Sequence, residues 1–416
     1  MITQVKGTQD FLDLTLYNYI INQASTHLER YHFTQIMTPI LEHIELFHRT
    51  LGIYTDVVSK EMFIIDNKGQ TPELCLRPEL TASIVRAFVE HAIDTVPWKV
   101  FSCGPAFRYE RPQKGRYRQF HHISIEIIGA VSLAHDVECI VMLDRFFSQQ
   151  LMLDAYALHI NFLGTAADRA THAKKLQKFL NDHVDQICDN CKIRKDTNTL
   201  RVFDCKNEQC IALYTHAPMI TDCLSAESKA EWQELQDRLG VLGISFTHKP
   251  TLVRGLDYYN KTVFEFVSDN LGSQNAFCGG GRYDHLVSQI GGKQDQPSIG
   301  AAIGVERLLL LLEQIKDRLP LPHKPLLSVI IPLTKEQHML ALYIADHMRY
   351  HGLCVDVLLE DDSVKSMMRK ANKYGAMYAL LLGQDEQRAQ TITIKNMTTG
   401  ESQTVPQIEI VGYIKK

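Results

Sequence analysis

Residues 107–128 read Phe107-Arg108-Tyr109-Glu110-Arg111-Pro112-Gln113-Lys114-Gly115-Arg116-Tyr117-Arg118-Gln119-Phe120-His121-His122-Ile123-Ser124-Ile125-Glu126-Ile127-Ile128. The second half alternates as a β-strand does, because successive side chains of an extended chain point to opposite faces. His121, Ile123, Ile125 and Ile127 form one face, which is mainly core. Phe120, His122, Ser124 and Glu126 form the other, an aromatic ring and three polar groups in a row. A solvent-exposed face gives the same alternation. An exposed strand, however, seldom sets a carboxylate between two isoleucines beside an adenine-sized ring, and Glu126 could receive the ring N–H of an imidazole ligand. Arg108 ends a preceding strand-like run from Trp98, and the loop Arg111 to Arg118 joins the two. An arginine anchored on a strand can grip a phosphate through a fixed bidentate contact, which a mobile lysine cannot. A surface arginine at a strand end is the plainer alternative.

Working outward, apolar spacing predicts a helix from about Leu16 to Glu29, with Leu16, Ile20, Ala24 and Leu28 on one stripe. Further helices are expected from Pro78 to His91 and from Asp136 to Leu153. Pro39 forbids a central-strand or mid-helix role for the segment Gln35 to Leu41 and points to an edge or a kink. Strands and helices without regular βαβ alternation imply an α+β domain on a largely antiparallel sheet. Charged helical stretches (Asp168 to His183, Ser225 to Leu239) flank a cysteine-bearing loop and suggest a helical insertion over about 166–242, with strand resuming at Thr251. A Pro-rich linker, residues 319–325, marks a boundary, giving domains 1–322 and 325–416. Beyond it Leu326–Leu333, Cys354–Leu359, Tyr378–Leu382 and Thr391–Lys395 read as strands. Helices from Lys335 to His351, opened by a Thr334/Gln337 capping box, and from Val364 to Tyr374 intervene. Gly352 and Gly375 close them, so the tail is a small α/β domain with a partly parallel sheet.

Bulk properties set limits around this core. The chain has 416 residues, 45% hydrophobic and 22% charged, enough for two or three domains of an ordinary soluble protein. No apolar run approaches a membrane span, and the N-terminus lacks a basic-then-apolar leader pattern, so a cytoplasmic location is expected. A net charge of −4 argues against indiscriminate coating of nucleic acid, yet Arg108, Arg111, Lys114, Arg116 and Arg118 face a single acid, Glu110. A solvated face accounts for such a run equally well. Cys75, Cys103, Cys139 and Cys354 read as small buried hydrophobes.

Phe107-Arg108-Tyr109-Glu110 with its basic loop and Phe120 resembles motif 2 of the class II aminoacyl-tRNA synthetases. Leu252-Val253-Arg254-Gly255-Leu256-Asp257-Tyr258-Tyr259 and Cys278-Gly279-Gly280-Gly281-Arg282-Tyr283-Asp284 resemble the two signatures of the histidyl-tRNA synthetases. Gly300 to Leu308 resembles motif 3, the segment around Pro39 motif 1, and Gly7-Thr8-Gln9-Asp10 the family's N-terminal signature. The resemblance covers nearly the whole chain. It implies a class II catalytic domain, an anticodon-binding domain at the C-terminus, a homodimer formed through motif 1, and a role in protein biosynthesis. ATP with Mg2+, histidine and tRNA(His) are the implied substrates, with no tightly bound cofactor.

Residue by residue, the resemblance places Arg108 and Arg254 on the α-phosphate and substrate carboxylate. Arg254 would take a place elsewhere filled by a metal. Arg307 and Arg116 fall on the γ-phosphate, Glu110 near the adenine, and Phe120 stacked on it. Glu79 and Thr81 match the amino-group site, and Glu126 and Tyr259, with Tyr258 adjacent, the imidazole site. Arg111 and Gln113 would meet the acceptor end of the tRNA. Two positions depart from the bacterial pattern. Leu80 stands where glycine is frequent. His122 stands where glutamine contacts the amino acid; a neutral imidazole both donates and accepts and can substitute, or it can signal lowered affinity.

Cys188-x2-Cys191 and Cys205-x4-Cys210 resemble a structural zinc site, but the second gap is loose and the family does not generally require metal. Reduced thiols and no metal ligands are therefore expected. The rival function is an inactive paralogue that regulates ATP phosphoribosyltransferase. Such chains generally lack the anticodon-binding domain and lose signature residues, whereas this one keeps Arg108, Glu126, Arg254 and Arg307.

Overall fold

The strand at the centre of the sequence argument runs Gln119–Ile128, with Ile123, Ile125 and Ile127 essentially without solvent exposure. Burial of each isoleucine contributes roughly 1.5–3 kcal/mol, and a one-residue slip would forfeit all three while driving Glu126 into the apolar layer. The register is thereby fixed. The neighbouring strand Trp98–Phe107 pairs with it without interruption, from Trp98 opposite Ile128 to Phe107 opposite Gln119. Arg108 N–H then donates to Arg118 O at 2.9 Å and closes the hairpin.

These two strands belong to an eight-stranded sheet in the computed structural model, which describes residues 1–415 apart from 53–54, 67–68, 70–71, 273–274 and 323. Across the sheet the order is Thr34–Gln35, Trp98–Phe107, Gln119–Ile128, Ser298–Gly304, Ala276–Arg282, Asn260–Val267, Ala157–Phe162 and Thr247–His248. The inner pairings are antiparallel, and the two-residue strands at both edges pair parallel. The first helix, Thr15–Arg30, lays Leu16, Ile20, Ala24 and Leu28 into one core with the isoleucine face. Leu133–Arg145 and Val305–Leu312 contribute to the same core. This is the α+β, largely antiparallel architecture the sequence implied.

Three local differences have physical causes. The helix expected from Pro78 begins at Thr81, because the Glu79 carboxylate accepts the N–H groups of Thr81 (2.6 Å) and Ala82 (2.7 Å) and so acts as its cap. No strand begins at Thr251: after the two-residue edge strand Thr247–His248 the next runs from Asn260, and residues 251–259 form a loop that carries Arg254, Tyr258 and Tyr259. Within the helical segment, Leu176, Leu180, Ile187, Val202, Tyr214 and Ala217 share a small core with Cys191, Cys205 and Cys210. Trp232, Leu235 and Leu239, on the helix Ala226–Val241, belong instead to the main core.

The chain divides into two compact units, Met1–Leu321 and Pro322–Lys416. The Pro-rich stretch spans the division, and its residue 323 lies outside the described residues. The second unit is a five-stranded sheet ordered Cys354–Val357, Leu327–Pro332, Tyr378–Leu382, Thr391–Asn396 and Ser402–Pro406. Its first three strands are parallel and its last two antiparallel. The Thr334 hydroxyl donates to the Gln337 side chain (2.6 Å) instead of capping a backbone N–H, and the α-helix proper runs His338–Tyr350. Cys354, expected to be buried, is exposed because it opens an edge strand. Among the described residues no helix is long and apolar enough to cross a membrane.

Candidate active site

The polar face of Gln119–Ile128 forms the floor of a cleft with a cavity of about 400 Å³. Of the residues singled out from the sequence, Glu79, Thr81, Arg108, Glu110, Arg116, Phe120, His122, Arg254, Tyr258, Tyr259 and Arg307 line it. Glu126 alone does not. It has no exposed surface and sits behind Thr81, whose hydroxyl donates to it.

At the cationic end each arginine is held differently. Arg108 Nε donates to Pro78 O at 2.9 Å, and its guanidinium lies 5.4 Å from the Phe120 ring. Arg307 Nε donates to Gly115 O at 3.1 Å, and its Nη1 to Ala276 O. Among the described residues neither forms a salt bridge, so backbone carbonyls aim both cations, with Glu61 and Glu79 acting on Arg108 and Glu265 on Arg307 only from beyond contact. Burial, with Arg116 and Arg108 nearby, lowers the Arg307 pKa to about 10, which still leaves it cationic at neutral pH. Burial likewise lowers Arg108. Arg116 pairs with Glu110. Arg254 pairs with Glu265, and although burial opposes its charge, Glu265, Tyr259 and Tyr258 outweigh that and raise its pKa. Gly279 is required here, since a Cβ at that position would collide with the Arg254 guanidinium.

The basic run thus splits. Arg108 and Arg116 face the cleft, and Arg118 stacks 3.9 Å over the Tyr109 ring and donates to Glu110 O at 3.3 Å. Arg111, Gln113 and Lys114 are exposed at the hairpin tip, where Gln113 and Arg116 pair through their backbones.

The other end is built around Glu126. Thr81 Oγ1 (2.6 Å) and Ser124 Oγ (2.8 Å) donate to its Oε1, and the Tyr283 hydroxyl donates to Oε2. A carboxylate offers about four acceptor sites, so about one remains, on Oε2. Burial pushes the Glu126 pKa up to about 8 against the pull of those three hydroxyls. Gly300 on the next strand is needed because a Cβ there would overlap this carboxylate. Tyr258 and Tyr259 pack ring to ring at 4.5 Å, and Tyr258 meets Tyr283 edge-on at 5.6 Å. His122 lies between the two ends. Burial, then Arg108 and Arg307, lower its pKa to about 3, so the ring is neutral, and its Nδ1 is buried without a partner among the described residues.

Sequence reasoning missed Tyr283, Glu265 and the rim residues Asp204 and Lys206. Glu265 carried a usable signal, a carboxylate between Phe264 and Phe266 like Glu126 between isoleucines. Two signature residues turn out to be scaffold. Arg282 is buried against Asp136 and the carbonyls of Ala130 and Ser132. Glu306 accepts the His121 N–H at 2.9 and 3.0 Å and lies 2.8 Å from His121 Nδ1, locking the floor strand.

A largely antiparallel sheet with a nucleotide-sized, arginine-lined cleft on it is the arrangement of a class II aminoacyl-tRNA synthetase. Residues 13–308 match the family model described as histidyl-tRNA synthetase, and residues 328–416 that of the anticodon binding domain. Similar proteins include the histidine–tRNA ligase of Caldanaerobacter subterraneus, 38% identical with all of both chains covered. That of Halothermothrix orenii is 39% identical, with 99% of this chain and 98% of the relative covered. The crystal structure of apo S. aureus histidyl-tRNA synthetase superposes with a TM-score of 0.81 at 34% identity, covering all of both chains. The chain belongs to the histidyl-tRNA synthetase family.

Proposed function

We propose that the protein is a histidine–tRNA ligase working in the cytoplasm. Histidine's carboxylate attacks the α-phosphorus of ATP, which enters as its magnesium complex; pyrophosphate leaves and histidyl-adenylate forms. A 3′-terminal ribose hydroxyl of tRNA(His) then attacks the activated carbonyl, AMP leaves, and the histidyl ester remains on the tRNA. Both steps depend on positioning and charge neutralisation more than on covalent catalysis by the protein.

The observation that carries this reading is one cleft that has carbonyl-aimed arginines at one end and, behind Thr81 at the other, a hydroxyl-ringed buried carboxylate. Arg108 and Arg254 hold the α-phosphate and substrate carboxylate as charge builds there, and Arg307 and Arg116 hold the γ-phosphate. Phe120 stacks on the adenine with Glu110 beside it. The amino acid's ammonium donates to Glu79, whose oxygens each keep a lone pair beyond the helix-cap bonds. The imidazole lies against Tyr258 and Tyr259 and donates into the Glu126–Thr81 cluster. Neutral His122 offers a donor and an acceptor where relatives' glutamine would.

The second unit binds the tRNA. Lys365, Arg369 and Lys373 are exposed at four-residue intervals on the helix Val364–Lys373 and so share a face suited to phosphates. Arg111 and Gln113 meet the acceptor end. Met37, Ile40 and Leu41, exposed and apolar in the motif 1 segment, support a homodimer through that face. The regulatory-paralogue reading has no support in the relatives or the cleft. Charging of tRNA(His) with labelled histidine tests the proposal. ATP-dependent charging is expected, and its absence with intact tRNA would refute it.

A further inference from the structure

The fold brings together four cysteines that the sequence reading left as reduced thiols. Cys188 and Cys191 bracket the start of the helix Asp189–Thr197; Cys205 follows the turn Thr199–Asp204, and Cys210 lies in the first turn of Glu208–Tyr214. Their four Sγ atoms all lie within 4.8 Å of one another. Cys188 Sγ and Cys205 Sγ are 3.7 Å apart. Tetrahedral zinc with Zn–S bonds of about 2.3 Å places its sulfurs roughly 3.8 Å apart, whereas a disulfide holds them at about 2.05 Å. Backbone amides already point at two of the sulfurs: Cys188 N–H donates to Cys210 Sγ at 3.2 Å and Asn207 N–H to Cys205 Sγ at 3.4 Å. The apolar core around the cluster is otherwise only six residues, a size at which small folds rely on a metal or a cross-link.

We propose that Cys188, Cys191, Cys205 and Cys210 bind one zinc ion as four thiolates, and that this site fixes the cleft wall formed by Asp204 and Lys206. Each thiol loses its proton to solvent on binding, so one Zn2+ displaces about four protons and affinity falls as pH falls. The site is closed: four protein ligands leave no position for substrate, so its role is structural. Cys205 lies between Asp204 and Lys206, and both line the cleft. Arg201, in the same turn, lies 3.1 Å from Asp204 and donates to Arg254 O at 3.4 Å. The path from Cys205 through Asp204 and Arg201 to the Arg254 backbone is therefore short and hydrogen-bonded. This second part, the effect on the cleft, rests on the activity proposed above; the metal site itself does not.

The full-length chain, purified under reducing conditions, is assayed for zinc by elemental analysis. About one equivalent per chain is expected, lost in Cys205→Ser and Cys210→Ser and retained in Cys223→Ser, whose cysteine lies in the turn Ile220–Cys223 outside the cluster. Because the serine variants can misfold, the unaltered chain is also stripped with chelator and titrated with zinc. Stoichiometric uptake with proton release, and the spectrum of a tetrahedral tetrathiolate site when cobalt replaces zinc, are expected. Folded, reduced protein that neither carries nor takes up zinc, or that holds a Cys188–Cys205 disulfide instead, overturns the site. For the wall, the KM for ATP or histidine should rise by about 10-fold on stripping and recover on zinc addition; unchanged kinetics in verified metal-free protein overturn that part.

Discussion

The two ends of the cleft are built on opposite principles. At the end proposed to hold the phosphates, Arg108 and Arg307 are aimed by backbone carbonyls and form no contact ion pair among the described residues. At the imidazole end, Glu126 is withdrawn from the cavity and nearly saturated by three hydroxyls, and burial holds its pKa near 8. An anion of fixed, high charge needs cations that are already in place and costly to neutralise. A ring that can be neutral or charged needs an acceptor whose own charge is adjustable. On the proposed function, the difference would give rate to one end and substrate selection to the other.

The largest test of that division compares Arg254→Ala with Arg307→Ala. Because Arg254 is also placed on the histidine carboxylate, its loss should lower the rate of adenylate formation by ~10²–10³ and weaken histidine binding as well. Arg307 is placed on the γ-phosphate alone, so Arg307→Ala should lower the rate while leaving histidine affinity within a few-fold. Equal losses in rate and affinity in Arg307→Ala would break the division. Next is Glu126→Gln, which removes the ionisable acceptor at the selective end. A loss of about 10–100-fold in kcat/KM for histidine is expected, with the KM for ATP unchanged in steady-state kinetics.

The pH dependence sharpens the same contrast. A ligand N–H that binds ionised Glu126 must displace its proton below about pH 8, so histidine affinity should rise with pH and level off above that value. The Tyr283 bond lowers the Glu126 pKa, so Tyr283→Phe should move the rise to higher pH. Calorimetric titration of histidine across pH reads both, and Glu126→Gln should abolish this component. Stability runs the other way. The folded protein binds the Glu126 proton more tightly than the unfolded chain, so this group's contribution falls as pH rises from about 4.5 to about 8. The smallest effect belongs to His122. Its ring stays neutral well below assay pH, so His122→Gln should change kcat/KM for histidine by less than about 3-fold and add no acidic limb to the pH profile.

The sequence disclosed the cleft floor because alternation is a direct signature of strand burial. Gln119–Ile128 reads the same in both, and so do most cavity-lining residues that the family resemblance named. What it withheld depends on three-dimensional partners. Nothing in the spacing says that Tyr283 reaches Glu126 from two strands away, or that Arg282 turns inward to Asp136 while Gly279 on the same strand lines the cleft. Residues 251–259 looked strand-like because Leu252, Val253, Tyr258 and Tyr259 are apolar and buried. Their burial comes from folding over the sheet rather than pairing within it. The strand Ser402–Pro406 escaped notice because an edge strand with polar side chains has no buried face to pattern.

The most direct test of the central claim is amino-acid-dependent exchange of labelled pyrophosphate into ATP, measured on the full-length chain with each amino acid in turn. Exchange with histidine alone is the predicted result, because the arginine end supplies the chemistry and the Glu126 end admits only an imidazole. No exchange with histidine, or equal exchange with other amino acids, would contradict it.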